Sequence, residues 1–218
     1  MKQKALPELL PRALYFFRWG AAYTWITGVA LLGLVFYMNP STLVGADTAG
    51  AHDAMLWGLA IILVGAGLYD VLWSKVFAGK EQAGVVITFL LVTGIMYSLT
   101  ECCDFTIRGM YIHIGGLFGT CMAMNVWMRI WPAQRKIIAA TKAGEAPDKA
   151  WGAVAGLRSK HNTYMSVPLV YMMINQHTSI VQCESVPAWG MLAIVTAVSW
   201  VFVKWVYKKS KTEAPAFY

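Results

Sequence analysis

Two histidines, His113 and His177, lie inside apolar segments that are long enough to approach the thickness of a membrane. An unpaired imidazole in hydrocarbon costs several kcal/mol, so each ring needs a partner. If the two segments are helices that cross the membrane in opposite directions, both rings lie about 6 Å below the same membrane face, because a helix rises 1.5 Å per residue. Two level imidazoles suit the two axial positions of a haem iron. The pattern predicts that His113 and His177 are the metal ligands of a b-type haem.

Small residues accompany the first of these histidines. Gly116 follows His113 by one helical turn, and Gly115 and Gly119 form a small-xxx-small pattern. Such residues let a flat macrocycle or another helix approach the backbone, so we assign Gly116 to the predicted cofactor site. The alternative is that each imidazole bonds a neighbouring helix or water at the interface.

The composition indicates that the bilayer is the solvent of this chain. It is 58% hydrophobic and only 13% charged, against about 25% charged in ordinary soluble domains. Six apolar stretches stand out: Leu14–Met38, Ala54–Trp73, Gly84–Ser98, Gly109–Ile130, Tyr164–Ile180 and Trp189–Val206. None alternates with a period of two residues, as a barrel strand would. The sequence predicts an all-α integral membrane protein, a six-helix transmembrane bundle forming one domain over 1–207, with a cytoplasmic tail at 208–218.

The net charge of +7 reports orientation rather than a nucleic-acid partner. Basic residues gather before the first stretch, between the second and third, between the fourth and fifth, and after the sixth, at positions 2–18, 75–80, 135–160 and 204–211. This positive-inside pattern puts both termini in the cytoplasm. We therefore expect a multi-pass protein of a bacterial cytoplasmic (inner) membrane, in contact with lipid and with other membrane subunits.

Three cysteines fall on the predicted outer side. Cys102 or Cys103 could form a disulfide with Cys183, or all three could remain free thiols. No Cys-x-x-Cys-His motif occurs, which excludes a covalently attached c-type haem in this chain.

Asp70 is a carboxylate inside an apolar stretch, where ionisable groups normally have a partner. Arg18 lies at a similar depth in the first stretch, which favours a structural ion pair over a proton relay.

Pro132 should end the fourth helix, since proline disfavours helical geometry in the residue before it. His161 precedes the fifth stretch, and we expect it to be solvated at the interface.

Buried amides are the remaining polar candidates. Asn125, Asn175 and Gln176 could bond a polar ligand, and they could equally join membrane helices.

Two long runs of sequence carry a family resemblance. The first extends from Tyr111 to Gly116 and on through Asn125 to Lys136, and the second from Arg158 to Tyr164 and on to His177. Together they resemble the membrane part of PuuD-type urate oxidases. The resemblance implies a membrane protein coupled to cytochrome c, in which urate is oxidised to 5-hydroxyisourate. Family members carry further helices before this part and a cytochrome c domain after it, so we expect another chain to supply the cytochrome.

Three functions follow from these observations. The first is a membrane electron-transfer subunit of a respiratory or oxidase complex, which binds haem b and donates to a c-type cytochrome. The second is the membrane subunit of a urate or purine oxidase, with a polar cavity near Asn125, Asn175 and the two histidines. The third is a cofactor-free accessory subunit. No catalytic residue is assigned.

Overall fold

The computed structural model describes residues 2–45, 49–178 and 185–212. Within these ranges the chain forms helices and no strand, which confirms the predicted all-α class. The α-helices are α1 (Lys2–Leu31), α2 (Ser41–Val44), α3 (Ala51–Val71), α4 (Glu81–Tyr97), α5 (Ile107–Met124), α6 (Trp131–Lys142), α7 (Lys149–Thr178) and α8 (Ala188–Thr212).

Four of these helices widen into π-helical turns at their carboxyl ends. The turns follow α1, α3, α4 and α5 and span Leu32–Tyr37, Leu72–Val76, Ser98–Cys102 and Asn125–Ile130. The last of them joins α5 to α6 directly, so the predicted helix end at Pro132 is wrong. Pro132 instead lies in the first turn of α6. Proline is tolerated there because the backbone N–H groups of a first turn have no acceptor within their own helix.

Among the described residues, four helical segments are long and apolar enough to cross a membrane. They are Glu8–Tyr37, Ala51–Val76, Glu81–Cys102 and Ala188–Ser210, with mean hydropathies of 1.5 to 1.9. The predicted fourth and fifth stretches are helical as α5 and α7, but these two helices are not among the candidate spans. The chain is thus a helical membrane protein with four candidate spans, where the sequence predicted six.

Helix α5 lies at the centre of the bundle, between α3 and α7. Helix α3 runs parallel to it, as successive contacts show: Gly58 with His113, Ile62 with Gly116, and Gly65 with Leu117. Helix α7 runs antiparallel, with Leu169 near Gly115 and Asn175 bonded to Tyr111. Helix α1 is also antiparallel, since Trp25 bonds Thr120 while Arg18 bonds Trp127. The main core is therefore built around α5.

Helices α4 and α8 form an antiparallel pair at the border of the bundle. Their aromatic rings meet in edge-on contacts, Phe89 with Trp200 at 5.8 Å and Tyr97 with Trp189 at 5.4 Å between centroids. Helix α8 also packs against α7. The α4–α8 pair is consequently joined to the centre largely through α7.

The short helix α2 closes the bundle over the amino end of α5. Thr106 caps α5 by accepting a hydrogen bond from the Gly109 backbone N–H at 2.9 Å. Its hydroxyl donates to the Thr42 carbonyl at 2.7 Å, and its backbone N–H donates to the Leu43 carbonyl at 2.8 Å. Leu43 is fully buried. The loop that holds α2 is therefore fixed to the start of α5.

The close approach of α3 and α5 at Gly58 gives a testable prediction. A methyl group at Gly58 would lie 2.4 Å from Nε2 of the fully buried His113. We expect Gly58→Ala to lower the free energy of unfolding by about 1–3 kcal/mol, because the imidazole must move. Gly67→Ala on the same helix is the control, since nothing lies within 4 Å of its added carbon. Thermal unfolding in detergent measures both variants, and equal stabilities would contradict this packing.

Candidate functional site

A cluster of polar side chains, the Asp70 cluster, lies where α3, α5 and α7 meet. It comprises Tyr69, Asp70, Ser74, Asn125, Arg129, Arg158, His161 and Asn162. Its members come from α3, from α7 and from the two π-helical turns that follow α3 and α5.

Two guanidinium groups hold the Asp70 carboxylate. Arg129 donates to both carboxylate oxygens, with Nε 2.9 Å from Oδ1 and Nη2 bonded to Oδ2. Nη2 of Arg158 lies 3.1 Å from Oδ1 and also donates to the Ser74 hydroxyl at 2.6 Å. The Arg158 side chain is only 3% exposed, so its charge depends on these partners.

The predicted Asp70–Arg18 pair is wrong, although Asp70 does form an ion pair. Arg18 lies over aromatic rings instead, 4.2 Å from the Trp131 centroid and 4.9 Å from that of Trp127. The reason is packing order: α1 contacts α5 and α6, whereas α5 and α7 bring arginines to α3.

Sequence reasoning missed Arg158 because it was assigned to a loop. A signal was present, since the residues that α7 buries recur at helical spacing and include this arginine: Ala155, Arg158, Met165, Pro168, Met172 and Asn175.

A chain of hydrogen bonds runs from a backbone carbonyl to His161. Asn162 Nδ2 donates to the Met122 carbonyl at 3.2 Å, so Asn162 Oδ1 accepts from Asn125 Nδ2 at 2.8 Å. Asn125 Nδ2 also donates to the Tyr69 hydroxyl at 2.9 Å. That hydroxyl keeps its own proton and can donate it to Nδ1 of His161, 2.8 Å away. In the tautomer that accepts this proton, neutral His161 carries its ring hydrogen on Nε2.

His161 is half-buried rather than solvated at an interface. Its ring meets Trp73 edge-on at 4.2 Å between centroids. Trp73 is buried and donates its indole N–H to Thr88 of α4 at 3.1 Å. His161 and Trp73 thus stand between the Asp70 cluster and α4.

A cavity of about 360 Å³ lies between α3, α4, α7 and α8, beside His161. Most of its lining is apolar or aromatic, including Phe118, Met165 and Trp200. Tyr69 and His161 supply polar atoms at the wall shared with the Asp70 cluster. The volume is within the usual range for a small-molecule site.

His113 is fully buried, and both of its ring nitrogens have protein partners. Nδ1 lies 2.7 Å from the Gly109 carbonyl, which can only accept, so Nδ1 carries the proton in the neutral ring. Nε2 then accepts from the Tyr37 hydroxyl at 3.0 Å. The Phe105 ring packs edge-on at 4.9 Å.

The structure does not bring the predicted haem residues together. His177 is exposed near the end of α7, two residues after Asn175, which faces α5. Two residues correspond to about 200° of helical rotation, so His177 faces away from α5. Gly116 contacts Ile62 of α3. These contacts do not fit ligation of one iron by His113 and His177, and haem binding stays a prediction.

The two buried asparagines also lie apart. Asn175 donates to the Tyr111 hydroxyl at 3.0 Å, while Asn125 bonds Asn162 of the same α7. Asn162 and Asn175 are 13 residues apart, about 20 Å along a helix. The predicted polar cavity near both amides is therefore not formed; each belongs to a separate contact between α5 and α7.

The described cysteines do not decide the predicted disulfide. Cys102 is an exposed thiol and Cys103 is half-buried, but Cys183 lies outside the described residues. Burial raises the pKa of the Cys103 thiol, and neighbouring Cys102 and Asp104 raise it further. Within the described ranges, no group of three His, Cys, Asp or Glu residues is arranged to hold a metal ion.

The fold and its site define an all-helical membrane protein with a partly buried ion-pair cluster between its central helices. The sequence matches the model of the family described as urate oxidase N-terminal over residues 1–218. The chain therefore belongs to that family, and the resemblance seen in the sequence is confirmed. No curated protein and no solved structure matches the chain.

Replacing each predicted ligand by alanine separates packing from haem ligation. Because His113 is buried with both nitrogens bonded, we expect His113→Ala to lower the free energy of unfolding by about 2 kcal/mol or more. His177→Ala should change it by less than about 0.5 kcal/mol, as for an ordinary exposed site. Thermal unfolding measures both effects.

Haem ligation by this pair predicts a different result in the reduced absorption spectrum. The purified protein would show a sharp alpha band, and either alanine variant would lose it. Loss of that band in both variants would contradict the packing interpretation.

Proposed function

We propose that this chain is the membrane subunit of a purine-oxidising system of the urate oxidase type. In this proposal it acts in a bacterial inner membrane, and the electrons pass to a c-type cytochrome carried by another chain. The family match over residues 1–218 is the observation that carries the proposal. The Asp70 cluster supports it, because ionisable groups among membrane helices commonly mark a substrate or ion pathway.

The charge balance of the cluster favours an anionic substrate. Arg129 and Arg158 provide two guanidinium groups against the single carboxylate of Asp70. An excess positive charge in a region of low dielectric attracts anions such as urate. Asn125, Asn162 and the Arg158 guanidinium are also the kinds of group that bond the carbonyl and N–H edges of a purine.

The proposed reaction balances with a cytochrome as the oxidant. Oxidation of urate to 5-hydroxyisourate takes its added oxygen from water and releases two electrons and two protons. Two ferric c-type cytochromes each accept one electron. We route no electron through a haem on His113 and His177, since their contacts do not fit one.

The test measures urate-dependent reduction of an added c-type cytochrome by membranes that contain the full chain. Arg158→Lys keeps the charge but loses the forked donor. We expect it to slow reduction about tenfold or more, as for the loss of one charge-assisted hydrogen bond. Arg135→Lys, an exposed residue of α6, is the matched control and should leave the rate unchanged.

Two outcomes would reject the purine oxidase proposal. One is the absence of urate-dependent reduction by the wild-type chain, which would leave the accessory-subunit alternative. The other is an equal rate for both lysine variants when their thermal stabilities match.

We also propose that α5 and α7 cross the membrane with the four candidate spans, and that both termini are cytoplasmic. Helix α5 is surrounded by α1, α3 and α7, and its neighbours alternate in direction as consecutive crossings would. Burial inside the bundle explains the low hydropathy of α7, because the polar side chains of Arg158 and Asn175 face protein rather than lipid.

The position of the loop between α6 and α7 tests this topology. In a variant without native cysteines, Glu145→Cys should react with a membrane-impermeant maleimide only after the membrane is permeabilised. A single cysteine retained at exposed position 102 is the control and should react in intact cells. Labelling of position 145 in intact cells would show that α5 and α7 do not cross.

A further inference from the structure

The cavity beside His161 has a polar end and an apolar remainder. Tyr69 and His161 lie on the wall next to the Asp70 cluster, with the ring of Trp73 between them and α4. Glu81 of α4 and Lys160, next to His161 in sequence, also line the cavity, as do Thr88 and Cys121. The rest of the lining reaches Ile95 and Leu117, well along α4 and α5, through aliphatic and aromatic side chains. Such a cavity suits a ligand with a flat polar head and an apolar extension.

The polar end presents a hydrogen-bond donor without a protein acceptor. In the tautomer in which Nδ1 of His161 accepts the Tyr69 proton, at the end of the chain of bonds that begins at the Met122 carbonyl, Nε2 of the neutral ring carries a hydrogen. Among the described residues, His161 has a single hydrogen bond, the one to Tyr69. The Nε2–H group of a ring that lines the cavity is therefore available to an acceptor inside it.

The cavity is open on the side that faces lipid. Leu68 of α3 and Leu91 of α4 both line it, yet their side chains are 50% and 45% exposed. Both helices are candidate membrane spans. A ligand can thus enter from the bilayer and leave an apolar tail between these helices.

We propose that this cavity binds the head group of a membrane quinone, with Nε2–H of His161 donating to a quinone carbonyl oxygen. A quinone has carbonyl acceptors on a flat ring and a hydrocarbon tail, which match the donor, the aromatic walls and the lipid-facing opening. A purine fits this cavity poorly, because its several N–H and carbonyl groups would lie unpaired against apolar walls. The site shares Tyr69 and His161 with the edge of the Asp70 cluster, but quinone binding there does not require the proposed purine chemistry.

Quinone binding is measured with the purified full chain in nanodiscs by quenching of tryptophan fluorescence. The probes are decylubiquinone, duroquinone, which has the head group without the tail, and decanol, which has a tail without the head group. We expect saturable binding of decylubiquinone that duroquinone competes for and that decanol does not. The assay contains neither urate nor a cytochrome, so its failure and the failure of the purine oxidase proposal are distinguishable.

Two pairs of variants locate the bound quinone. His161→Phe should weaken decylubiquinone binding about tenfold, as for one lost hydrogen bond, while His177→Phe on the exposed end of α7 should not. Val85→Trp places a large ring in the cavity lining and should abolish binding, while Val86→Trp next to it, which does not line the cavity, should not.

The outcomes are decisive in either direction. Equal binding by wild type and His161→Phe overturns the proposal, as does displacement by decanol without displacement by duroquinone, which would identify an acyl-chain site. Should His161→Phe fail to fold, the Val85 and Val86 pair together with the duroquinone competition decides between these outcomes. Absence of saturable binding by the wild-type protein overturns the proposal outright.

Discussion

Asp70 forms ion pairs with both Arg129 and Arg158 and so joins the central helices of the bundle at one point. Each partner comes from a different part of the fold: α3, the π-helical turn after α5, and α7. A buried ion pair adds little net stability, yet removal of one partner leaves an uncompensated charge. The carboxylate therefore fixes the register of three central helices more than it strengthens them.

The Asp70 cluster also contains hydrogen bonds between side chains that carry no charge. Arg158 reaches Ser74 on one side, and Asn125 bonds both Asn162 and Tyr69 on the other. Because the Met122 carbonyl can only accept and the Arg158 guanidinium can only donate, the orientations of the Asn162 and Asn125 amides are determined. Among the described residues in the opposite half of the central helices, no such charge network is present. There His113 and Tyr37 form a neutral pair, and α2 closes over the start of α5.

Much of the fold could be predicted from composition, since apolar stretches located α1, α3, α4 and α8 as well as α5 and α7. The depth of His113 and His177 could also be estimated, because helical rise depends only on residue number. The direction in which each ring points could not, since it depends on which neighbour each face meets. His113 meets Gly58 of α3, a helix that precedes α5 by two crossings and runs parallel to it.

The partner of Asp70 illustrates the same limit. Depth alone suggested Arg18, but α1 contacts α5 and α6, and its arginine stacks on Trp131. To predict Arg158 as a partner of Asp70, one would have to know that α7 begins well before its apolar part. That early start places Arg158 on a helix face rather than in a loop. The prediction that Pro132 ends a helix was wrong for a similar reason. The π-helical turn before it leads directly into α6, and Pro132 lies in the first turn of that helix.

The parallel pairing of α3 and α5 has a geometric consequence for the helix between them in sequence. Two parallel neighbours in direct contact leave no room for the returning segment, so α4 is displaced to the periphery and takes α8 as its companion. The cavity beside His161 is lined by residues of the central helices α3, α5 and α7 and of the outer pair α4 and α8. It therefore lies at the boundary between these two groups of helices.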